Sequence, residues 1–145
     1  MVPNPPQSFP RIAPYLLYED VPAALEWLTG AFGFRERLRF TGEDGTVNHA
    51  EMEFADGVIM LGDPGEGYRN PKRSGSVTVQ MHVYVDDADA HCERARAAGA
   101  TIRGEPMDKE YGDRSYSAID PEGHLWMFSQ HLRDVTPADW GATEA

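Results

Sequence analysis

Two short stretches hold the side chains best suited to chemistry: VNHAEMEF (Val47–Phe54), with His49 and Glu51, and VTVQMHVYV (Val77–Val85), with His82. An imidazole titrates near neutral pH, and a desolvated carboxylate can be raised toward that range, so His82 and Glu51 are the candidate acid and base. Each also has a structural reading, His82 as a strand histidine bonded to a neighbouring side chain and Glu51 as a solvent-facing carboxylate. Both stretches alternate with period two, which separates their residues onto two faces. Ala50, Met52 and Phe54 form one apolar set, leaving His49, Glu51 and Glu53 opposite; the valines and Met81 form another, leaving Gln80, His82 and Tyr84 opposite. The remaining histidines read otherwise: His124 as a turn donor, His91 and His131 as solvated groups.

These strands need elements around them, and the chain supplies the same series twice. After the proline-rich leader 1–10, RIAPYLLY (Arg11–Tyr18) reads as a strand and VPAALEWLTGAF as a helix, with Asp20 as N-cap, Pro22 in the first turn and Gly33 as stop. RERLRF, VNHAEMEF and VIMLGD follow as strands separated by GEDG and ADG turns. A Gly/Pro-rich connector (64–76), read as mobile, leads to VTVQMHVYV and then a helix capped by Asp86 or Asp87 and stopped by Gly99. Strands at 101–106, 114–120 and 124–130 complete the second series, joined by YGD and DPEG turns, before a tail at 132–145. The predicted organisation is therefore one α+β domain of two βαβββ modules, 11–63 and 77–131.

Composition removes several function classes. The net charge is −11, and no basic cluster exceeds Arg69-Asn70-Pro71-Lys72-Arg73, so the field repels nucleic acid and anionic lipid. No apolar run approaches the ~20 residues of a membrane span, and the leader lacks a signal-peptide apolar core. The single cysteine, Cys92, reads as a helix packing residue and fits a cytoplasmic location. No phosphate loop, G-x-S-x-G elbow or calcium loop is present.

The stretches YGDRSYSAIDPEGHLW (Tyr111–Trp126), VYVDDADAHCERARAAGA and NHAEMEFADGVIML resemble the vicinal oxygen chelate superfamily of glyoxalases, bleomycin-resistance proteins and extradiol dioxygenases. The likeness spans about Ile12 to His131 and is strongest to the bleomycin-resistance-like glyoxalase branch. It implies curled mixed sheets around a central cavity, and a homodimer. It also implies four metal-donor positions, one on the first and one on the last strand of each module, which fall on Ala13, Met60, Gln80 and Met127. Only Gln80 can ligate, because thioether and methyl groups are poor donors for hard divalent ions. The expectation is a site without metal and no cofactor, with His49, Glu51 and His82 as a non-standard ligand set in the alternative.

Within that frame the polar faces look into the cavity. Tyr15, His49, Met60, Gln80, Tyr84, Arg114, Tyr116 and Met127 become candidate ligand-binding residues, a mixture of rings, thioethers and polar groups usual for small-molecule sites. Arg114 can hold a carboxylate or stack on a ring, or alternatively pair with Glu51 or Glu53; Met60 and Met127 can equally be core packing. The implied function is binding of a small, partly aromatic organic molecule, for sequestration or resistance. The alternatives are a lyase, isomerase or dioxygenase-like enzyme using His82 and Glu51 or a rearranged metal site, and a dimeric scaffold whose cavity its own side chains fill.

Overall fold

The computed structural model describes all residues, 1–145. The chain divides into two compact units, Met1–Ser74 and Gly75–Ala145. The first contains β1 (Tyr15–Leu17), α1 (Val21–Phe32), β2 (Arg35–Thr41), β3 (Val47–Phe54), β4 (Gly57–Gly62) and a one-turn helix α2 (Pro71–Ser74). The second contains β5 (Gln80–Tyr84), α3 (Ala88–Ala97), β6 (Thr101–Asp108), β7 (Asp113–Ile119), β8 (Leu125–His131) and a 3-10 turn at Pro137–Trp140. Each unit has one four-stranded mixed sheet, in the orders β1-β4-β3-β2 and β5-β8-β7-β6. The outer first strand runs parallel to the last in both, β1 to β4 and β5 to β8, and the other pairs are antiparallel. The tandem βαβββ fold is thus present, with the same topology in each unit.

Helix α1 starts where the Asp20 carboxylate accepts from the Ala23 amide at 3.0 Å, and it ends where Gly33 takes a left-handed φ of 83°. Val21, Ala24, Leu25, Leu28 and Phe32 repeat at helical spacing and are buried, each large side chain contributing about 1.5–3 kcal/mol on leaving water. Asp87 caps α3 by accepting from the Ala90 amide at 3.0 Å. The buried face of α3 is small, formed by Ala88, Cys92 and Ala95, and it packs on β6, β7 and β8.

The structure departs most from the expectations at β1, β5 and the connector. β1 covers only three residues, because Pro10 and Pro14 cannot donate to a ladder. β5 begins at Gln80, leaving Val77 and Val79 before it 44% and 62% exposed and not packed on helices. The expected mobile connector is tied to the end of β1: the Tyr68 hydroxyl donates to the Leu17 carbonyl at 2.9 Å, and the buried Asn70 donates its amide to Glu19 at 3.0 Å.

Candidate functional site

In the first unit α1 covers one sheet face, packing on β2 and β3, so the chemistry lies on the other. Strand pairing sets two rows across that face. Tyr15, Met60, Glu51 and Leu38 form one, and Leu17, Gly62, His49 and Phe40 form the next. Gly62 opens a gap in the second row. A Cβ there would lie 2.5 Å from the Tyr15 ring, so the ring crosses β4 over this glycine and its hydroxyl meets His49 Nδ1 at 2.8 Å. On the far side His49 Nε2 stands 3.6 Å from Glu51 Oε2.

Glu51 is held from a second direction. The β2 register slips between Glu36 and Leu38, and the intervening Arg37 brings its Nε within 3.9 Å of Glu51 and 3.8 Å of Glu53. The Arg37 guanidinium also lies 5.4 Å from the Phe9 ring centre. Glu53 additionally pairs with Arg35.

The corresponding face of the second unit carries Gln80, His82 and Tyr84 on β5, with Leu125, Met127 and Ser129 paired beside them. His82 Nε2 meets Ser129 Oγ at 2.7 Å, and Ser129 Oγ meets Ser115 Oγ at 2.7 Å; both serines are buried. The His82 ring stacks on Tyr84 with centroids 5.2 Å apart, and Nε2 is the ring nitrogen that Ser129 engages. The Tyr84 hydroxyl donates to Asp113 Oδ2 at 3.0 Å, and this bond to a carboxylate holds its pKa above the ordinary phenol value. The other Asp113 oxygen lies 2.8 Å from His131 Nδ1, while His131 Nε2 lies 2.8 Å from Asp134. Asp113 first, and Asp134 second, raise the His131 pKa above its ordinary 6.5.

Six of the eight expected binding residues, and both acid–base candidates, lie on these two faces. Tyr15, His49, Met60 and Glu51 share the first, and Gln80, His82, Tyr84 and Met127 share the second. Arg114 and Tyr116 do not. β7 pairs Tyr116 with Phe128 and Ala118 with Trp126, which places them on the helix-packed side, and Tyr116 is only 2% exposed. Burial pushes the Tyr116 phenol pKa well up, and its hydroxyl bonds His91 Nδ1 on α3. Arg114 bridges Asp89 at 3.0 Å and Asp108 at 2.9 Å, not Glu51 or Glu53. The residues facing the site from β7 are Ser115 and Ser117, which pair with Ser129 and Met127.

The sequence reading also passed over Arg37, Gly62, Asp113 and Ser115. His91 and His131, expected to be solvated, are instead bonded to Tyr116 and to two carboxylates. The connector adds a polar cleft of about 550 Å³ lined partly by Glu19, Tyr68, Arg69 and Arg73. There the Asn70 amide, and after it Arg73, keep the Glu19 pKa below the ordinary carboxylate value.

The positions at which metal enzymes of the resembled superfamily keep donors can be tested directly. Met60 sits between Tyr15 and Glu51 in the sheet, and Met127 between His82 and Ser117. The Gln80 amide nitrogen points at Met127 Sδ, 3.8 Å away. Two thioethers and an amide do not match the carboxylate and imidazole donors of hard divalent ions. No group of three or more His, Cys, Asp or Glu side chains is arranged to hold a metal.

Residues 9–128 match the family model described as the Glyoxalase/Bleomycin resistance protein/Dioxygenase superfamily. Over 131 residues the chain is 34% identical to the uncharacterised protein Mb0911c of Mycobacterium bovis, covering 87% of this chain and 86% of that one. Among solved structures, TioX from Micromonospora sp. ML1 is 37% identical with a TM-score of 0.69, covering 85% of this chain and 99% of TioX. The fosfomycin resistance protein FosX of Listeria monocytogenes shares the fold at 14% identity, with a TM-score of 0.63 and coverage of 90% and 96%.

Proposed function

Because the chain belongs to the glyoxalase/bleomycin resistance protein/dioxygenase superfamily, we propose that it binds a small, partly aromatic organic molecule without a metal ion, in a sequestration or resistance-type role. The observation that carries this reading is the donor set at the superfamily's metal positions, where Met60, Met127 and Gln80 offer soft, apolar and amide contacts. On the first unit's face Tyr15, with His49 and Glu51, accompanies Met60, and on the second unit's face His82 and Tyr84 accompany Gln80 and Met127, so each face offers ring surface for stacking and polar atoms for orientation. The test is a screen of aromatic small molecules by intrinsic tryptophan fluorescence and native mass spectrometry. Saturable binding at one molecule per site supports the reading, and a protein that binds none of them contradicts it.

An enzyme reading draws support from His82, whose Nε2 is oriented by Ser129 so that Nδ1 is the nitrogen to exchange a proton with a substrate. His82→Ala would then abolish turnover and leave the far-ultraviolet spectrum unchanged.

The proposed protein is cytoplasmic and homodimeric. Support for the first is the lone buried cysteine; no helix is long and apolar enough to cross a membrane. Support for the second is β2, an outer strand of its sheet whose free edge a second copy can pair. Light scattering at micromolar concentration would give twice the chain mass, and a strict monomer would refute dimerisation.

A further inference from the structure

We propose that Tyr15, His49 and Glu51 form a proton relay that makes Tyr15 Oη the acid–base atom of the first unit's site, and that this site takes ligands with an ionisable hydroxyl, phenols or enols. The inference rests on the binding function proposed above and specifies its chemistry. Its geometry is a hydroxyl bonded to one imidazole nitrogen, with a carboxylate beside the other, at 2.8 Å and 3.6 Å. In the donor direction Tyr15 gives its hydrogen to Nδ1, and Nε2–H then faces Glu51. The lone pairs of Tyr15 Oη remain to accept from a ligand.

The proton balance is closed within these groups. The ligand hydroxyl hydrogen passes to Tyr15 Oη, the Tyr15 hydrogen passes to His49 Nδ1, and the resulting imidazolium is stabilised by the Glu51 carboxylate. Tyrosine ends neutral and donates its new hydrogen to the ligand anion. Arg37, with Nε 3.9 Å from Glu51, helps to hold that carboxylate in place. Met60 and Leu38 in the Tyr15 row, with Phe40 in the next, offer apolar surface for the ligand's ring.

Gly62 is what permits the relay. Any Cβ at this position meets Tyr15 Cε1 at 2.5 Å and its hydroxyl at 2.7 Å, so only glycine lets the tyrosine cross β4 to reach His49. Its backbone is not in the left-handed region, so alanine there disturbs the side chain above it and leaves the chain path available.

The probe is 4-nitrophenol, whose anion absorbs at longer wavelength than the neutral form, titrated at a pH below its free pKa. Wild type is expected to bind it as the anion. Tyr15→Phe should weaken anion binding roughly tenfold or more, the effect of losing a charge-assisted hydrogen bond, and Glu51→Gln, which removes the carboxylate facing the imidazolium, should weaken it as well. Gly62→Ala, which keeps all three side chains, should do the same and serves if either of the others fails to fold. Equal anion binding by wild type and Gly62→Ala would overturn the relay. Binding of the neutral phenol alone would overturn it too, while leaving the small-molecule reading intact. A wild type that takes up no 4-nitrophenol overturns the ligand class, and the wider aromatic screen then decides the binding function separately.

Discussion

The turn before β8 fixes the strand that carries Met127 and Ser129, and one carboxylate holds that turn. Asp120 Oδ1 accepts from the amides of Glu122 at 3.1 Å and His124 at 3.0 Å, while Oδ2 accepts from the indole nitrogen of Trp126 at 3.1 Å. Both Asp120 and Trp126 are buried. Asp120→Ala removes all three bonds at about 0.5–1.5 kcal/mol each, and it strands a buried indole N–H, which costs about 1–3 kcal/mol. The expected loss is about 3 kcal/mol or more, a fall in Tm of about 6–12 °C for a chain of this size. Asp120→Asn separates the contributions. Its carbonyl can keep the two backbone amides, but its NH2 then faces the indole N–H, donor against donor, so only about 1–3 kcal/mol should be lost. The assay is urea unfolding followed by tryptophan fluorescence and far-ultraviolet circular dichroism, with coincident transitions required. A loss within about 1 kcal/mol for Asp120→Ala would refute the reasoning, as would equal losses for the two variants.

The His131 pKa is raised by Asp113 and Asp134, so the folded state favours its protonated form. Its stabilisation is therefore complete below the unfolded value of 6.5 and is lost as pH rises through the higher folded value. His131→Asn should flatten stability between weakly acidic and alkaline pH, and a nuclear magnetic resonance titration should place the wild-type midpoint above 6.5. Burial is the leading reason that the Cys92 thiol pKa is raised, against the opposing effect of Arg96. Folded protein should accordingly react slowly with a thiol-specific chromogenic reagent and quickly in denaturant; fast reaction of the native form would contradict its packing role.

The parts of the fold with local causes were visible in the chain. Asp20 and Gly33 mark the ends of α1 because a carboxylate satisfies free amides and a glycine accepts φ of 83°. VNHAEMEF coincides with β3 because its alternation is strict and its two faces differ in polarity. β7 misled because Arg114 and Tyr116 are polar by residue type. Tyr116 nevertheless buries its ring against Phe128, at 5.3 Å between centroids, and only its hydroxyl needs a partner, which α3 supplies through His91. The facing positions are small serines, whose value comes from a bond to Ser129 on another strand and so has no local pattern. Gly62 shows the same limit: its role depends on a ring 47 residues earlier in the chain, at Tyr15. Arg37 reaches Glu51 through a register slip that alternation cannot foresee. Met60 pairs with Tyr15 and Glu51, and Gln80 and Met127 lie on the paired strands β5 and β8, neighbourhoods that spacing within one strand does not reveal.

The central claim is that this member of the superfamily binds its small molecule through side chains alone. The direct measurement is a calorimetric titration of an aromatic ligand from the screen into chelator-treated protein, repeated after incubation with nickel, zinc, iron or manganese and elemental analysis of the same samples. The account predicts saturable binding of equal affinity in all of them and no stoichiometric metal. Binding that needs the metal, or that tightens in step with stoichiometric uptake of one ion, would contradict it.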